Sequence, residues 1–283
     1  MQEIKCRIAP SLGGGFAGTP EQVWGTKPYN ENTDKELPCV FFGLYGLPDF
    51  YSLWRHKGKK YILWAGSDIR HLIKGYWLDE KGLIKLSSNS IAKWINQNCE
   101  SWVENHVEYE ALKKLGIWSS MCPSFLGDVK NYDISFKQGN KLYASVSGND
   151  FELYKWSEII KLAKENQGIE FYLYGNTIPF EHNQPNVFVK GRVSQEQMDK
   201  ETKEMQGSIR LLEFDGASEI VVKAMLKGQY CFSLIDYPYV NKPSDLHLLT
   251  SLKTANVEGR NWWRQNLNNY PWNLNFQNKQ EKK

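Results

Sequence analysis

The segment best suited to chemistry is RLLEFDGASEIVVKAMLKGQYCFSLI, residues 210–235, where a strand-like run ends at Asp215 and a helical run follows. In open α/β sheets, ligands bind outside the carboxyl ends of the strands. Free amide groups at the start of a helix bind phosphate, and Gly216, Ala217 and Ser218 are small enough to let a diphosphate approach. The segment therefore indicates a phosphate-binding turn. An ordinary strand–turn–helix with a good N-cap is the alternative interpretation.

Strand-like runs alternate with amphipathic helical runs along the whole chain, which predicts parallel α/β layers. In the first half we expect strands at 3–9, 38–43, 60–65 and 99–104. Between them we expect a polar loop at 25–36 and helices at 48–56, from 69, at 90–97 and at 107–115. In the second half we expect strands at 141–147, 169–174, 187–190, 209–214 and 230–235, with helices at 156–166, from 195, at 218–226 and around 257–267.

Residues 123–140 interrupt this alternation with Pro, Gly, Asn and mixed charge, so we place the domain linker there. The pattern predicts an N-terminal domain over 1–130 and a C-terminal, ligand-binding domain over 138–250. The remaining segment, 251–283, is expected to form a tail whose helix packs back toward the N-terminal domain.

The segment around Asp215 resembles the donor-site motif of retaining, two-Rossmann (GT-B) glycosyltransferases, in which an acid precedes a second acid inside an "EAM..G" helix. Asp215 falls at the first acidic position, and Ala224, Met225 and Gly228 match the helix frame. The resemblance implies that Asp215 lies beside the transferred sugar. Lys223 replaces the second acid, which in this family holds the ribose hydroxyls. A lysine cannot accept those hydrogen bonds, and Glu219 is a candidate substitute.

Three further segments resemble the same family, in the same order. SVSGNDFELYKW is similar to its "VGR….KG" loop, which implies that Lys155 neutralises the donor diphosphate. YLYGN is similar to a strand-plus-glycine motif and implies donor contacts at Gly175 and Asn176. NVFVKGRVS is similar to "V.F.G.V", which implies that the backbone at Arg192 and Val193 reads the base.

The N-terminal half resembles the family more loosely. LWAGSDI is similar to an "HW.GSD" strand end, which makes Asp68 a candidate polar contact on the acceptor side. The glycine run after the first strand offers Gly14 and Gly15 as donor-binding positions, with a flexible turn as the alternative. The resemblance thus implies an α/β fold of two Rossmann-like domains with parallel sheets that face a central, GT-B-like cleft.

The function implied by this resemblance is hexosyltransferase-type transfer from a nucleoside diphosphate sugar, in the first place a UDP-sugar, to an acceptor hydroxyl. No Asp-x-Asp occurs in the chain, which argues against the metal-dependent, single-Rossmann glycosyltransferases. We therefore expect no metal and no cofactor. Two alternatives remain open: a module that binds a nucleotide or sugar without turnover, and a viral-type glucosyltransferase that acts on modified DNA bases.

Composition sets further limits on partners and location. The net charge of +3 tolerates an anionic ligand but is too small to argue for nucleic acid. The five cysteines are dispersed and form no C-x-x-C, as expected of free thiols in a reducing compartment. The N-terminus lacks the apolar stretch of a signal peptide, and no stretch reaches the length of a membrane span. We expect a cytoplasmic protein.

Overall fold

The computed structural model describes residues 3–12, 18–75, 88–145, 152–175 and 182–275. The chain divides into two compact units. Unit 1 takes in Met1–Asp128, Phe214–Ala217 and Asn266–Lys283, and unit 2 takes in Val129–Glu213 and Ser218–Gln265. The passage from unit 1 to unit 2 at Asp128 and Val129 lies within the segment where we expected the linker.

Unit 1 is built on a parallel sheet. Its strands are β1 (Lys5–Ile8), β2 (Lys27–Pro28), β3 (Cys39–Phe42), β4 (Lys60–Leu63), β5 (Glu100–Val103) and β6 (Ser120–Met121). They lie in the order β2–β1–β3–β4–β5–β6. Every residue of β3 and β4 is buried, as expected where helices cover both faces of a parallel sheet. The four strands predicted for this half are confirmed, and β2 falls in the segment expected to be a loop.

The helices of unit 1 begin where small or polar residues precede apolar runs. They are α1 (Thr19–Trp24), α2 (Leu47–Arg55), α3 (Ser67–Ile73), α4 (Ser88–Asn98) and α5 (His106–Lys114). Helix α5 begins after Asn105, whose side chain accepts hydrogen bonds from two backbone amides, and it ends before Gly116, which has a φ of 80°. This left-handed backbone favours glycine, so the predicted helix end at Gly116 is confirmed.

The C-terminal segment of the chain completes the core of unit 1. The rings of Tyr270 and Trp272 stack with their centroids 4.3 Å apart, and Trp272 meets Trp24 edge-on at 6.1 Å. Asn268 fixes the segment, because its side chain accepts a hydrogen bond from the Phe125 amide and donates one to the Phe125 carbonyl. These three aromatic residues are at most 2% exposed, so the segment is part of the hydrophobic core.

Unit 2 contains a second parallel sheet. Its strands are β7 (Lys141–Ser145), β8 (Glu170–Tyr174), β9 (Val187–Gly191), β10 (Gly207–Arg210) and β11 (Tyr230–Ser233). They lie in the order β11–β10–β7–β8–β9. Its helices are α6 (Trp156–Glu165), α7 (Gln195–Thr202), α8 (Glu219–Leu226) and α9 (Val257–Asn266). The helix expected in the C-terminal tail is therefore present as α9, which lies almost entirely in unit 2.

One strand of unit 2 is displaced from its predicted position. We expected it over 209–214, whereas β10 runs from Gly207 to Arg210. The ladder with β11 begins opposite Gly207, where an added Cβ would collide with the Tyr230 carbonyl. Residues 211–214 continue the apolar run but make no ladder, so apolar character alone misplaced the strand.

Among the residues described, no helix has the length and apolar character that a membrane crossing requires.

Candidate functional site

A small cavity of about 70 Å³ lies in unit 2 at the carboxyl end of β7. Strand β7 supplies Tyr143 and Ser145, and helices α7 and α8 supply the other walls. Two residues predicted from the sequence, Glu219 and Lys223, line it. The remaining lining residues are Gln195, Met198, Asp199, Thr202, Ile220 and Lys227.

Lys223 of α8 and Lys227, the residue that follows this helix, line the cavity one turn apart. The Lys223 ammonium lies 2.9 Å from Glu219 Oε2, and the Lys223 side chain is 15% exposed while that of Glu219 is 61% exposed. The Lys227 ammonium donates to Thr202 Oγ1 at 2.9 Å and lies 3.5 Å from Asp199 Oδ1. Burial lowers the pKa of Lys227, and the charge of Asp199 offsets part of that effect. The cavity thus holds two amines and two carboxylates.

Helix α7 is held in place by a cap at its first turn. The Ser194 hydroxyl accepts a hydrogen bond from the Gln197 amide at 3.1 Å. Gln195, one residue on, donates to Asp199 Oδ2 at 3.0 Å. The cap therefore fixes the turn of α7 that presents Gln195 and Asp199 to the cavity.

Lys155 lies elsewhere in unit 2. It precedes α6 in a left-handed conformation with a φ of 57°, and its ammonium lies 3.8 Å from Glu158 and 3.9 Å from Glu213. It lines a second cavity, of about 280 Å³. Lys161 of α6 and residues that follow β10 and β11 also line this cavity. The sequence assigned Lys155 and Lys223 to one donor, but the structure places them on two different cavities.

Three of the residues predicted to contact the donor, Gly175, Arg192 and Val193, lie at the ends of the adjacent strands β8 and β9. The Gly175 amide, just beyond β8, donates to the carbonyl of Gly191, the last residue of β9, at 2.9 Å. Arg192 and Val193 follow directly; Arg192 is exposed and Val193 is half-buried. Gly175 is therefore a neighbour of Arg192. Asn176, Gly14 and Gly15 lie outside the described residues.

The turn that carries Asp215 is part of unit 1. The Asp215 carboxylate accepts the Gly216 amide at 3.1 Å, and the Asp215 carbonyl accepts the Asn105 side-chain amide at 2.6 Å. The Ala217 amide donates to Glu104 Oε2 at 2.7 Å. The backbone donor that the sequence assigned to phosphate at Ala217 is thus occupied by a carboxylate of the protein itself.

Asp68 is fully buried in the first turn of α3. Its carboxylate accepts the backbone amides of Leu44, Ala65 and Ile69 at 2.8, 3.0 and 2.8 Å. Burial raises its pKa to about 7, although the amide hydrogen bonds pull the pKa down. With no exposed surface, Asp68 fastens the start of α3 to neighbouring loops. This geometry does not offer Asp68 the acceptor contact expected from the sequence.

Two acids near Asp215 were not identified from the sequence. Glu104 follows β5 and Glu108 lies in the first turn of α5. Loss of water around the Glu104 carboxyl raises its pKa to about 7, and burial raises the pKa of Glu108 well above its usual value. The one available signal was an acid at a strand end followed at once by an N-cap residue, Asn105. Among the described residues, no group of His, Cys, Asp or Glu side chains is arranged to hold a metal ion.

No protein-family model matches the sequence, and no curated protein matches it either. Among solved structures, the chain is similar to the apo form of the lipopolysaccharide outer core galactosyltransferase WaaB. The identity is 13%, the TM-score is 0.59, and 98% of each chain is covered. It is also similar to a mutant of S. aureus TarM in complex with fondaparinux, alpha-GlcNAc-glycerol and UDP, at 14% identity and a TM-score of 0.53.

The TarM similarity covers 80% of this chain and 50% of the TarM chain, so this chain spans about half the length of TarM. At such identities the likeness concerns the fold. Two parallel sheets flanked by helices, one in each unit, give this chain the α/β two-domain architecture of GT-B glycosyltransferases.

Proposed function

We propose that this chain is a glycosyltransferase that moves a sugar from a nucleoside diphosphate sugar, foremost a UDP-sugar, to an acceptor hydroxyl. The observation that carries the proposal is the cavity at the carboxyl end of β7, lined by Glu219 and Lys223 of α8. Strand ends and helix starts are where α/β folds bind nucleotides. A fold shared with a galactosyltransferase and with a protein solved with UDP gives that cavity its expected occupant.

The side chains of the cavity match the parts of such a donor. Lys223 and Lys227 supply positive charge for phosphate oxygens, and Glu219 and Asp199 supply acceptors for ribose hydroxyls. The strand ends at Gly175 and Arg192 offer backbone groups for a base. Asp215 is proposed to contact the transferred sugar, as the family resemblance implies.

The chemistry we propose is metal-independent and retains the anomeric configuration. Cationic side chains and helix-terminal amides can stabilise a leaving diphosphate as its charge develops. Lysines in a half-buried cavity do this more effectively than in open water, because the local dielectric constant is lower. In a retaining reaction of this kind we assign no nucleophile to the protein.

Nucleotide binding is the first test of the proposal. The melting temperature of the purified chain should rise with UDP, in a panel that also contains GDP, ADP and TDP. The rise should persist in EDTA. The proposal is wrong if no nucleoside diphosphate stabilises the chain, and its metal-independent part is wrong if stabilisation requires added Mg²⁺ or Mn²⁺.

Turnover separates an enzyme from a binding module. UDP release from UDP-glucose, UDP-galactose and UDP-GlcNAc should be measured with glycan, small-molecule and hydroxymethylated DNA acceptors. Release above the buffer rate supports the transferase. Stabilisation by UDP without release from any donor would favour the non-catalytic module, and transfer to the DNA alone would favour the viral-type alternative.

A further inference from the structure

Two acidic side chains of unit 1, Glu104 and Glu108, lie beside the turn Asp215–Ala217, which itself carries a third acid. Glu104 lies at the end of β5, Glu108 lies four residues further on in α5, and Asp215 belongs to the turn itself. The donor scheme above uses only Asp215. Such a concentration of acids beside a backbone turn needs a physical account, because buried like charges repel strongly.

Glu104 contacts the turn directly. Its Oε2 accepts the Ala217 amide at 2.7 Å, and its other oxygen accepts the Ser124 hydroxyl. Gly216 makes this approach possible, because a Cβ at that position would collide with Glu104 Oε2. A carboxylate that receives two donors on its two oxygens is held in one orientation, and so is the amide it binds.

Glu108 binds the backbone of Glu104. Its Oε2 accepts the backbone amide of Glu104 at 2.7 Å. The residue is 0% exposed, and Oε1 has no hydrogen-bond partner among the described residues. That oxygen lies beside two glycines, since a Cβ added at Gly66 or Gly216 would be 3.0 or 3.6 Å from it. When one oxygen of a buried carboxyl has no hydrogen-bond partner, the ionised form is much higher in free energy than the neutral form.

We propose that Glu104 is the positioning residue of the Asp215–Ala217 turn, and that Glu108 supports it as a neutral, protonated carboxyl. Positioning of the turn follows from the contacts in unit 1. Its importance for the donor rests on the function proposed above, in which Asp215 contacts the sugar.

The charges around the pair agree with this assignment. Desolvation is the largest influence that raises the pKa of Glu108, and the neighbouring Glu104 carboxyl is the next. The pKa of Glu104 is about 7, and its hydrogen bonds from Ser124 and Ala217 favour the ionised form. The titratable groups with the strongest effects on the two carboxyls include the acids Asp68, Cys122, Asp215 and Tyr270.

The hydrogen bond between Glu104 and the Ala217 amide should depend on pH. Hydrogen bonds that lower the pKa of Glu104 are stronger when Glu104 is ionised. The Ala217 amide is therefore held more tightly above pH 7 than below it, while Glu108 keeps its proton at both. Glutamine copies the shape of a protonated glutamate, so Glu108→Gln should be tolerated and Glu104→Gln should remove the pH dependence.

Hydrogen exchange of a peptide covering 214–218, corrected for intrinsic rates at pH 6 and pH 8.5, tests the proposal without any ligand. Protection of the native turn should be greater at pH 8.5, and Glu104→Ala should lower it about tenfold or more, the loss expected for a hydrogen bond to a charged group. Glu104→Gln should give equal protection at both pH values. Glu108→Gln should behave like the native chain, as should the surface control Glu110→Gln.

Two results would overturn the proposal: native protection in Glu104→Ala, or lost protection in Glu108→Gln. If Glu104→Ala does not fold, the loss of pH dependence in Glu104→Gln decides the question alone. UDP affinity of Glu104→Gln is measured separately. Altered exchange with unchanged UDP affinity and unchanged turnover keeps the positioning role and counts against the donor role of the turn, so the two proposals fail independently.

Discussion

At the scale of single residues, Lys223 is the position where this chain departs most clearly from the family it resembles. An ammonium group can only donate hydrogen bonds, so it cannot replace a carboxylate as a partner for hydroxyl groups. In the structure Glu219 lies one turn earlier on α8, and its carboxylate pairs with the Lys223 ammonium at 2.9 Å. Where the family motif has an acid, the cavity of this chain has the Lys223 ammonium, and the Glu219 carboxylate lies beside it.

Lys223→Ala should weaken UDP binding by about 1–3 kcal/mol, the range for a hydrogen bond to a charged group. The reason is that the Lys223 side chain is largely buried in the cavity and its partner Glu219 is exposed and easily displaced. Titration calorimetry measures the difference. Lys203→Ala, at an exposed position that does not line the cavity, is the matched control, and equal affinities for the two variants would remove Lys223 from the donor site.

Asp215→Asn should lower transfer strongly while the nucleotide affinity and the fold stay close to those of the native chain. The substitution preserves the backbone carbonyl that binds Asn105 and keeps an oxygen for the Gly216 amide. Only the charge that we place beside the sugar is lost. Turnover and UDP affinity are measured side by side; a loss confined to affinity would contradict the assigned contact.

At the scale of elements, the strands were predictable because buried parallel strands read as continuous apolar runs. β3 and β4 are examples, with CVFF and KYIL buried throughout. The six-residue helix α1 was missed because TPEQVW, between two glycines, has too few residues to show a helical period. A different cause displaced β10: its apolar run extends past the residues that form the ladder.

The site was less predictable than the fold, because its contacts join residues far apart in the chain. Glu104 meets Ala217 across 113 residues, and no local pattern reveals that distance. The pairing of Lys223 with Glu219, by contrast, is a contact four residues apart on one helix. Family resemblance gave Lys155 and Lys223 a common ligand, but it carries no information on which cavity each side chain lines.

The helix cap at Asn105 should matter more for stability than the cap at Ser194. Asn105 is buried, caps two amides of α5 and also donates to the Asp215 carbonyl, whereas the exposed Ser194 receives one amide. We expect Asn105→Ala to cost about 1–3 kcal/mol of unfolding free energy and Ser194→Ala about 0.5–1 kcal/mol. Urea unfolding of both variants measures this, and the reverse order would show that the link to Asp215 adds nothing.

At the scale of the whole molecule, unit 1 is assembled from three separated parts of the chain. The last of these contributes Trp272, which is fully buried among Trp24, Tyr61, Trp102 and Tyr270. Because Trp272 is fully buried, the core of unit 1 depends on the segment that begins at Asn266. The N-terminal half therefore lacks part of its core without this segment.

Trp272→Ala should destabilise the chain by about 3–5 kcal/mol, the usual cost of removing a large buried aromatic side chain. The loss combines apolar transfer with the cavity left between four rings. Denaturant unfolding of the full chain measures it, with Trp118→Ala as control because Trp118 is 62% exposed. A loss no larger than that of the control would mean that the C-terminal segment is not part of the core in solution.

The pH dependence of stability also belongs to the whole molecule, and here the buried acids of unit 1 decide its sign. The pKa values of Asp68 and Glu104 are raised to about 7 from unfolded values near 4. Between these limits the folded chain keeps protons that the unfolded chain has released. Stability must therefore fall as the pH rises from about 4.5 to about 7.

Groups whose pKa values are lowered on folding act in the opposite sense, and Glu201 and His56 are two of them. The pKa of Glu201 is lowered to about 2 by its hydrogen bonds from Tyr174 and Gln197, so its contribution is complete above pH 4.5 and is lost in acid. Burial lowers the pKa of His56, so its contribution grows as the pH rises toward 6.5 and is complete above about that value. One histidine offsets only part of the effect of the carboxyls with raised pKa values, which also include Glu108.

We therefore expect the free energy of unfolding to be greatest near pH 4.5–5 and to decline toward pH 7.5. The free energy of unfolding changes by about 1.4 kcal/mol per pH unit for each proton that the folded chain binds and the unfolded chain does not. Urea unfolding at half-unit intervals measures the curve. Glu104→Gln should flatten it because the variant has one fewer proton to lose, whereas Glu110→Gln should leave its slope unchanged. A native stability that rises between pH 5 and 7 would show that these carboxyls are ionised and paired in solution, contrary to the burial and charge described above.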